Sequence, residues 1–213
     1  MPAPPTRPSA RIAVLVSGSG TNLQALLEAI AAHPRFGGEV VVVAADRAEA
    51  GGLDRAREAG IATVVQPFDA HPDRRTFEDA LLADLEVHAP DVVVLAGFMR
   101  LLTRTFLARW PDRVINTHPS ILPAFRGAHA VRDALEHGVK LTGCTVHLVD
   151  EEVDHGPIVA QQAVEVLPDD TEDTLHARIK AVEHELLPAC VALLCQGRLE
   201  VDGRQVRVRE ETS

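Results

Sequence analysis

Asn116 and His118, two residues apart, and Asp154 in the segment LVDEEVDHGPIV are residue types that together can steady a negative charge developing on a carbonyl oxygen. The Asn116 amide can donate to an oxyanion, and a protonated His118 can do so more strongly because it also carries the opposite charge. Asp154 would orient the imidazole, and a carboxylate neighbour raises a histidine's pKa from its ordinary ~6.5, which favours the cation. Such a set needs no protein nucleophile when an amine attacks. Neither Ser17 nor Ser19 lies in the G-x-S-x-G pattern of a nucleophile elbow. A lone His at a strand end is commonly just hydrogen bonded, and a turn Asp commonly caps backbone amides, so the trio does chemistry only if the fold brings it together. A metal held by His118, His129, His147, His155 and Asp154 is a competing use, but no HExxH or cysteine-rich ligand spacing accompanies these residues.

A second motif, Ser17-Gly18-Ser19-Gly20-Thr21-Asn22, falls between an apolar β-branched run and a helical pattern. Unpaired backbone N–H groups and the helix dipole favour an anion at such a turn, and glycine lets the backbone approach it closely. It is not a Walker A loop, because Gly-Lys-Ser/Thr is missing. The dinucleotide fingerprint fits at Gly18 and Gly20 and fails at Leu23, where a small residue is needed, although Asp46 could hold a ribose hydroxyl. A phosphate monoester is the better fit, and a ligand-free tight turn is the plain alternative.

These residues need elements to position them. Arg11–Ser17 reads as a strand, and Leu23, Leu26, Leu27 and Ile30 recur at helical spacing. The alternation repeats with a strand at Val40–Ala45, a helix around Gly52–Ala59, a strand at Ala62–Val65 and a helix from about Arg74 to Val87. Asp91–Ala96 (DVVVLA) has the continuous apolar character of a strand buried on both faces of a parallel sheet. Arg113–Asn116 is a fifth strand, which puts Asn116 and His118 at the carboxyl edge where open α/β sheets bind ligands. A long irregular stretch, THPSILPAFRGAH, follows and a short helix begins near His129. Strands Gly143–Val149 and Ile158–Val166, joined by a short link, predict an antiparallel addition. Thr171 caps a long helix with the stripe Leu175, Ile179, Val182, Leu186, and Pro188 is expected to kink or end it. Asp202-Gly203 marks a hairpin. The implied fold is α/β: a mostly parallel twisted sheet flanked by helices, Rossmann-like in its N-terminal half, with antiparallel additions in the C-terminal half.

The organisation expected is a disordered tail at 1–10 and one domain at 11–213. Within it, about 11–110 forms a phosphate-binding half, about 111–199 a catalytic half and about 200–213 a hairpin and tail. The formal net charge of −10 and the scatter of basic residues, with Arg74/Arg75 the notable pair, argue against a nucleic-acid partner. Three cysteines without CxxC spacing suit reduced thiols in the cytoplasm. No apolar run approaches the ~20 residues that span a bilayer, and MPAPPTRPSA lacks the apolar core of a secretory signal. Monomer and homodimer are equally open.

Taken in order, SGSGTNLQ, LAGFMRLL, INTHPSILPAFRGAHA and GCTVHLVDEEVDHGPIV resemble the phosphoribosylglycinamide formyltransferases, folate-dependent enzymes of purine synthesis. The resemblance covers about Arg11 to about Leu199. It implies transfer of the formyl group of 10-formyltetrahydrofolate to the amine of glycinamide ribonucleotide, with Asn116, His118 and Asp154 catalytic and no metal. It implies that Gly20, Thr21 and Asn22 hold the substrate phosphate and that Glu183 reaches the sugar. The folate would lie against Met99, Arg100, Leu101 and Leu102, near Arg74 and Asn116, with Asp150, Glu151, Glu152, Val153 and Asp154 around its pterin. Two positions depart from the family's pattern: Thr21 stands where Ser is frequent, and His155 follows Asp154 where Gly is common.

Rival readings share parts of this pattern. A tRNA formyltransferase would need a further basic domain, and a formyltetrahydrofolate hydrolase a regulatory domain ahead of the first strand, where only about ten residues are expected. Transfer to another small phosphorylated amine keeps every motif. A non-catalytic phosphate-ligand module would keep the glycine turn and not need the trio.

Overall fold

The computed structural model of the chain describes residues 9–210. Five parallel strands, β1 (Ala10–Val16), β2 (Gly38–Ala45), β3 (Ala62–Val65), β4 (Val92–Leu95) and β5 (Val114–His118), are extended by antiparallel β6 (Leu141–Leu148) and β7 (Ile158–Glu165). The sheet order is β3-β2-β1-β4-β5-β6-β7. The chain turns one way from β1 to β2 and the other way from β1 to β4, so the loops after β1 and β4 part and leave a crevice at the switch point.

Alternation along the central strands builds two cores. Ile12, Val14 and Val16 of β1 and Val92 and Val94 of β4 face one side, and Ala13, Leu15, Val93 and Leu95 the other. The first side is covered by α1 (Thr21–Ala32), α2 (Gly51–Glu58), α5 (Ala130–Glu136) and α6 (Glu172–Cys195). The second is covered by α3 (Arg74–Glu86) and the short α4 (Arg104–Leu107), through Phe77, Leu81, Leu85, Phe106 and Trp110.

Several expectations shift in detail. The first strand opens at Ala10, one residue inside the expected tail, while residues 1–8 and 211–213 lie outside the described residues. β5 continues two residues past Asn116, so His118 is still in the sheet. A 3-10 turn at Phe68–Ala70 and α4 were not anticipated; each is too short to show a period. Pro188 does not end α6, which runs on to Cys195. Leu187, Pro188, Cys190, Val191 and Leu194 are all buried there, and that packing offsets the hydrogen bond a proline denies the His184 carbonyl. The start of α6 is fixed by Thr171, whose hydroxyl accepts from the Thr174 amide while Thr174 Oγ1 accepts from Thr171 N. The hairpin appears as β8 (Leu199–Asp202) and β9 (Gln205–Val208).

Candidate active site

The glycine turn lies where β1 hands over to α1. Gly20 takes the N-cap position with φ 71, a left-handed conformation, and a Cβ there would stand 2.4 Å from the Cα of Gly52. Glycine is therefore required on two counts. Gly52 N also donates to the Gly18 carbonyl at 3.1 Å, so the start of α2 packs against the turn. Arg55 Nε donates to the Ser19 carbonyl at 2.8 Å. Asn22 Nδ2 reaches Glu183 Oε2 at 3.4 Å, while Asn22 Oδ1 is buried without a hydrogen-bond partner. Asp46, weighed as a ribose ligand, is instead buried and bonded to Arg100 Nε at 2.7 Å and to Arg47. Burial raises its pKa, but hydrogen bonds from Ser17, Arg100 and Arg47 together bring it below the usual carboxylate value. That carboxylate holds Arg100, whose guanidinium also lies 4.1 Å from the Phe68 ring centroid, and it is closed to a ribose.

The trio meets at the sheet's carboxyl end. Asn116 and His118 lie two apart in β5 and share a face; the antiparallel register sets Asn116 opposite His147 of β6. Asn116 Nδ2 lies 3.2 Å from His147 Nε2, and His147 Nδ1 donates to the Leu148 carbonyl at 2.8 Å, which leaves Nε2 to accept. Asp154 sits between the two histidines, Oδ2 3.3 Å from His118 Nδ1 and Oδ1 3.7 Å from His147 Nε2, and it accepts from Gly127 N at 2.8 Å. His118 Nε2 donates to the Phe125 carbonyl at 2.8 Å. Phe125 and Asp154 have φ of 51 and 48, left-handed conformations that non-glycine residues seldom adopt and that collect at functional sites. The loop is anchored further by Thr145 Oγ1, which donates to the Ser120 carbonyl at 2.6 Å and accepts from Leu122 N at 3.0 Å.

Electrostatics correct one expectation. Burial pushes His118 below its ordinary value, and Asp154 and the Phe125 carbonyl pull it back only in part. In the neutral ring, with Nε2–H given to Phe125, the Nδ1 lone pair faces a carboxylate; a second proton would let both nitrogens donate. Burial also opposes the Asp154 charge, but the neighbouring His147 and His118 imidazoles and the Gly127 amide outweigh it and lower that pKa. The carboxylate is thus ionised beside an imidazole poised to gain a proton.

The trio forms one wall of a cavity of about 300 Å³. Met99, Arg100, Leu101, Leu102 and all of Asp150–Asp154 line it, as do His147 and His176, whose roles there were not anticipated. Met99, Leu101 and Val153 are exposed at its rim, whereas Leu102 is core. Arg74 does not line the cavity; it opens α3 behind Asp73, whose side chain caps the helix through Thr76 N. Among the described residues no group of three or more His, Cys, Asp or Glu side chains is placed to hold a metal. Burial pushes the thiols of Cys144, Cys190 and Cys195 up to about 12, which leaves them poor nucleophiles.

Glu183 links the two regions. It is buried on α6, and Oε1 accepts from Thr117 at 3.3 Å on the face of β5 opposite Asn116 and His118. Burial raises its pKa, with Asn22, Thr117 and Lys180 opposing. Lys180, one turn earlier and half-buried, acts by charge on Glu183, His176 and His184. It escaped notice in the sequence, although it is one of only two lysines in the chain and stands three residues before Glu183.

A glycine turn after the first strand, and an amide, an imidazole and a carboxylate around an apolar-rimmed cavity at the switch point, place the chain among Rossmann-like proteins with a side-chain site at the sheet's carboxyl end. The chain belongs to the formyl transferase family, whose profile matches residues 10–191. Phosphoribosylglycinamide formyltransferase of Mycobacterium tuberculosis is 48% identical over 201 residues, 94% of this chain and 92% of that protein. The human trifunctional purine biosynthetic protein adenosine-3 is 43% identical over 204 residues, 95% of this chain but 20% of that much longer protein. Among solved structures, glycinamide ribonucleotide transformylase 1 of Symbiobacterium toebii superposes with a TM-score of 0.91 at 49% identity, covering 95% of each chain. No described helix is long and apolar enough to cross a membrane.

Proposed function

We propose that the chain transfers the formyl group of 10-formyltetrahydrofolate to the amine of glycinamide ribonucleotide, as a cytoplasmic enzyme acting on small molecules. The observation that carries this reading is the placement of Asn116, His118 and Asp154 on the wall of an apolar-rimmed cavity, linked to the glycine turn through Thr117, Glu183 and Asn22. The pterin occupies the cavity between Met99, Leu101, Leu102 and the Asp150–Asp154 loop. The phosphate rests on Gly20, Thr21 and Asn22 with Lys180 supplying positive charge, and Glu183 faces the sugar. Arg74 has no place against the pterin and is left to the outer part of the folate.

The neutral amine attacks the formyl carbon, and a tetrahedral oxyanion develops. Asn116 spends one N–H on His147 and has a second to offer. His118 donates once its Nε2–H turns from the Phe125 carbonyl to the oxyanion, whose charge raises the imidazole's affinity for a proton just as it is needed. With the new C–N bond made, the oxyanion's electron pair re-forms the carbonyl and the C–N bond to the folate breaks. The proton lost by the amine passes to the folate nitrogen, with Asp154 placed to relay it.

The test is to mix the protein with glycinamide ribonucleotide and 10-formyl folate and follow deformylated folate by absorbance. Release that depends on the acceptor is expected. Release without acceptor identifies a hydrolase, and no release in either case rejects the proposal.

A further inference from the structure

The β8–β9 hairpin is pinned to the body by Leu199, Val201 and Val206, which pack on the larger core, and its β9 strand lies against β7. Arg209 N donates to the Arg198 carbonyl at 2.8 Å and closes its base. Gly203, with φ 57, makes the turn that presents Arg204. Arg204 Nη2 donates to the His155 carbonyl at 2.7 Å, and Nη1 stands 3.0 Å from Nε2 and 3.4 Å from Nδ1 of the same ring. A donor lying in the ring plane along one nitrogen's lone pair is much farther from the other nitrogen. Near-equal distances therefore put the guanidinium over the imidazole face, as a cation on a flat π-system.

His155 in turn grips the loop between β6 and β7. Its Nδ1 lies 2.6 Å from Asp150 Oδ2, and Asp150 Oδ1 accepts from Glu152 N at 3.1 Å. Between these anchors Glu151, Glu152 and Val153 are exposed, with the Glu151–Arg104 ion pair at 3.4 Å reaching a side chain that is itself exposed. At the loop's base Gly156 approaches so closely that a Cβ would meet the Leu148 carbonyl oxygen at 1.8 Å. The loop's shape is thus set at its ends, and Asp154 is held in its left-handed conformation directly beside His155.

We infer that Arg204 is a positioning residue: through His155 and Asp150 it holds the cavity-lining loop in its folate-binding shape. The folate part of this inference rests on the function proposed above; the loop part does not. Arg204 and its contact are exposed, and exposed charged contacts add little to global stability, so the loss of Arg204 should register in the loop rather than in the melting temperature.

Two measurements on the full chain test it. Amide hydrogen exchange of residues 150–155 in the ligand-free protein is expected to quicken in Arg204→Ala. In kinetics, the KM for 10-formyl folate should rise about three- to tenfold while the KM for the amine stays within about twofold. His155→Ala should match it, and the double variant should be no worse than either single one, because both break the same chain of contacts. Arg204→Lys, which can reach the carbonyl or cover the ring but not both, should fall between. Parent-like exchange and parent-like folate KM in Arg204→Ala, or single effects that add in full, would overturn the inference. If the parent protein transfers no formyl group, the exchange experiment still decides the loop, and only the function fails.

Discussion

The two ends of the site are built from different materials. The glycine turn on the parallel side is made of backbone: Gly20 in a left-handed N-cap, the first amides of α1, and α2 packed behind them through Gly52. The corner on the antiparallel side is made of side chains, with Asn116, His118, His147 and Asp154 within hydrogen-bonding or ion-pairing reach and two residues at positive φ supporting them. A backbone cradle carries fixed dipoles, does not titrate in the working range and recognises an anion wherever the turn can form. A side-chain corner can change its charge during a reaction, which suits it to a transition state and makes it fragile. The comparison predicts that damage to the corner appears in turnover and damage to the turn in substrate affinity.

The largest effect should come from His118→Ala, since losing an oxyanion-hole donor, the role proposed for His118, costs about 3–4 kcal/mol. The expected fall in kcat is a hundredfold or more, with little change in KM for the phosphorylated amine, read by steady-state absorbance. Near-normal turnover would remove His118 from the chemistry and break the contrast at its strongest point.

Next is Gly20→Ala. The new Cβ must occupy a left-handed backbone and press on the Gly52 backbone, which cannot swing aside as a side chain would. We expect the amine's KM to rise about tenfold, equivalent to about 1.4 kcal/mol, with kcat changed much less. A drop confined to kcat would show that the turn and the corner work as one unit.

The same contrast explains what could be read from the chain alone. The turn was legible because its parts are contiguous: a β-branched run, glycines, then Leu23 and Leu26 at helical spacing. The sheet was legible because Ile12–Val16 and Val92–Leu95 have the unbroken apolar character that burial on both faces demands. The corner could only be suspected. Asp154 meets His118 across 36 positions, through a register that pairs β5 with β6 and a loop anchored on Thr145. His147 is a lone histidine in an apolar run until the strand opposite is known. Burial, which reverses the pKa shift expected for His118, depends on the whole fold and leaves no trace in local spacing.

A smaller effect sharpens the electrostatic side. Burial holds His118 low and Asp154 raises it, so removing the carboxylate charge in Asp154→Asn should move its titration lower still. Proton NMR of the imidazole, assigned with His118→Ala, should show the parent titrating below about 6.5 and the variant lower again. A parent value above 6.5 would mean that the ion pair, not burial, governs the corner.

The smallest effect concerns Glu183, which touches both ends of the site through Asn22 and Thr117. Its folded-state pKa is raised above the unfolded value, chiefly by burial, so the stability linked to the protonated form is fully present below the unfolded pKa and is lost as pH rises through the folded one. Glu183→Gln keeps the shape and carries no charge to desolvate; its one amide oxygen can accept from Thr117, and its NH2 can donate to Asn22 Oδ1, which has no partner in the parent, once the Asn22 amide turns over. Melting curves at pH 5 and pH 8 should therefore diverge: the parent loses ground to the variant at the higher pH, by about 2–4 °C for each kcal/mol relieved in a chain of this size. The variant should bind the amine substrate less well if the carboxylate that is costly to bury is, as proposed, the one that meets the sugar. If Glu183→Gln instead melts lower at both pH values and leaves the amine's KM untouched, Glu183 is a brace between the α6 helix and the sheet. The turn and the corner would then be joined by packing alone.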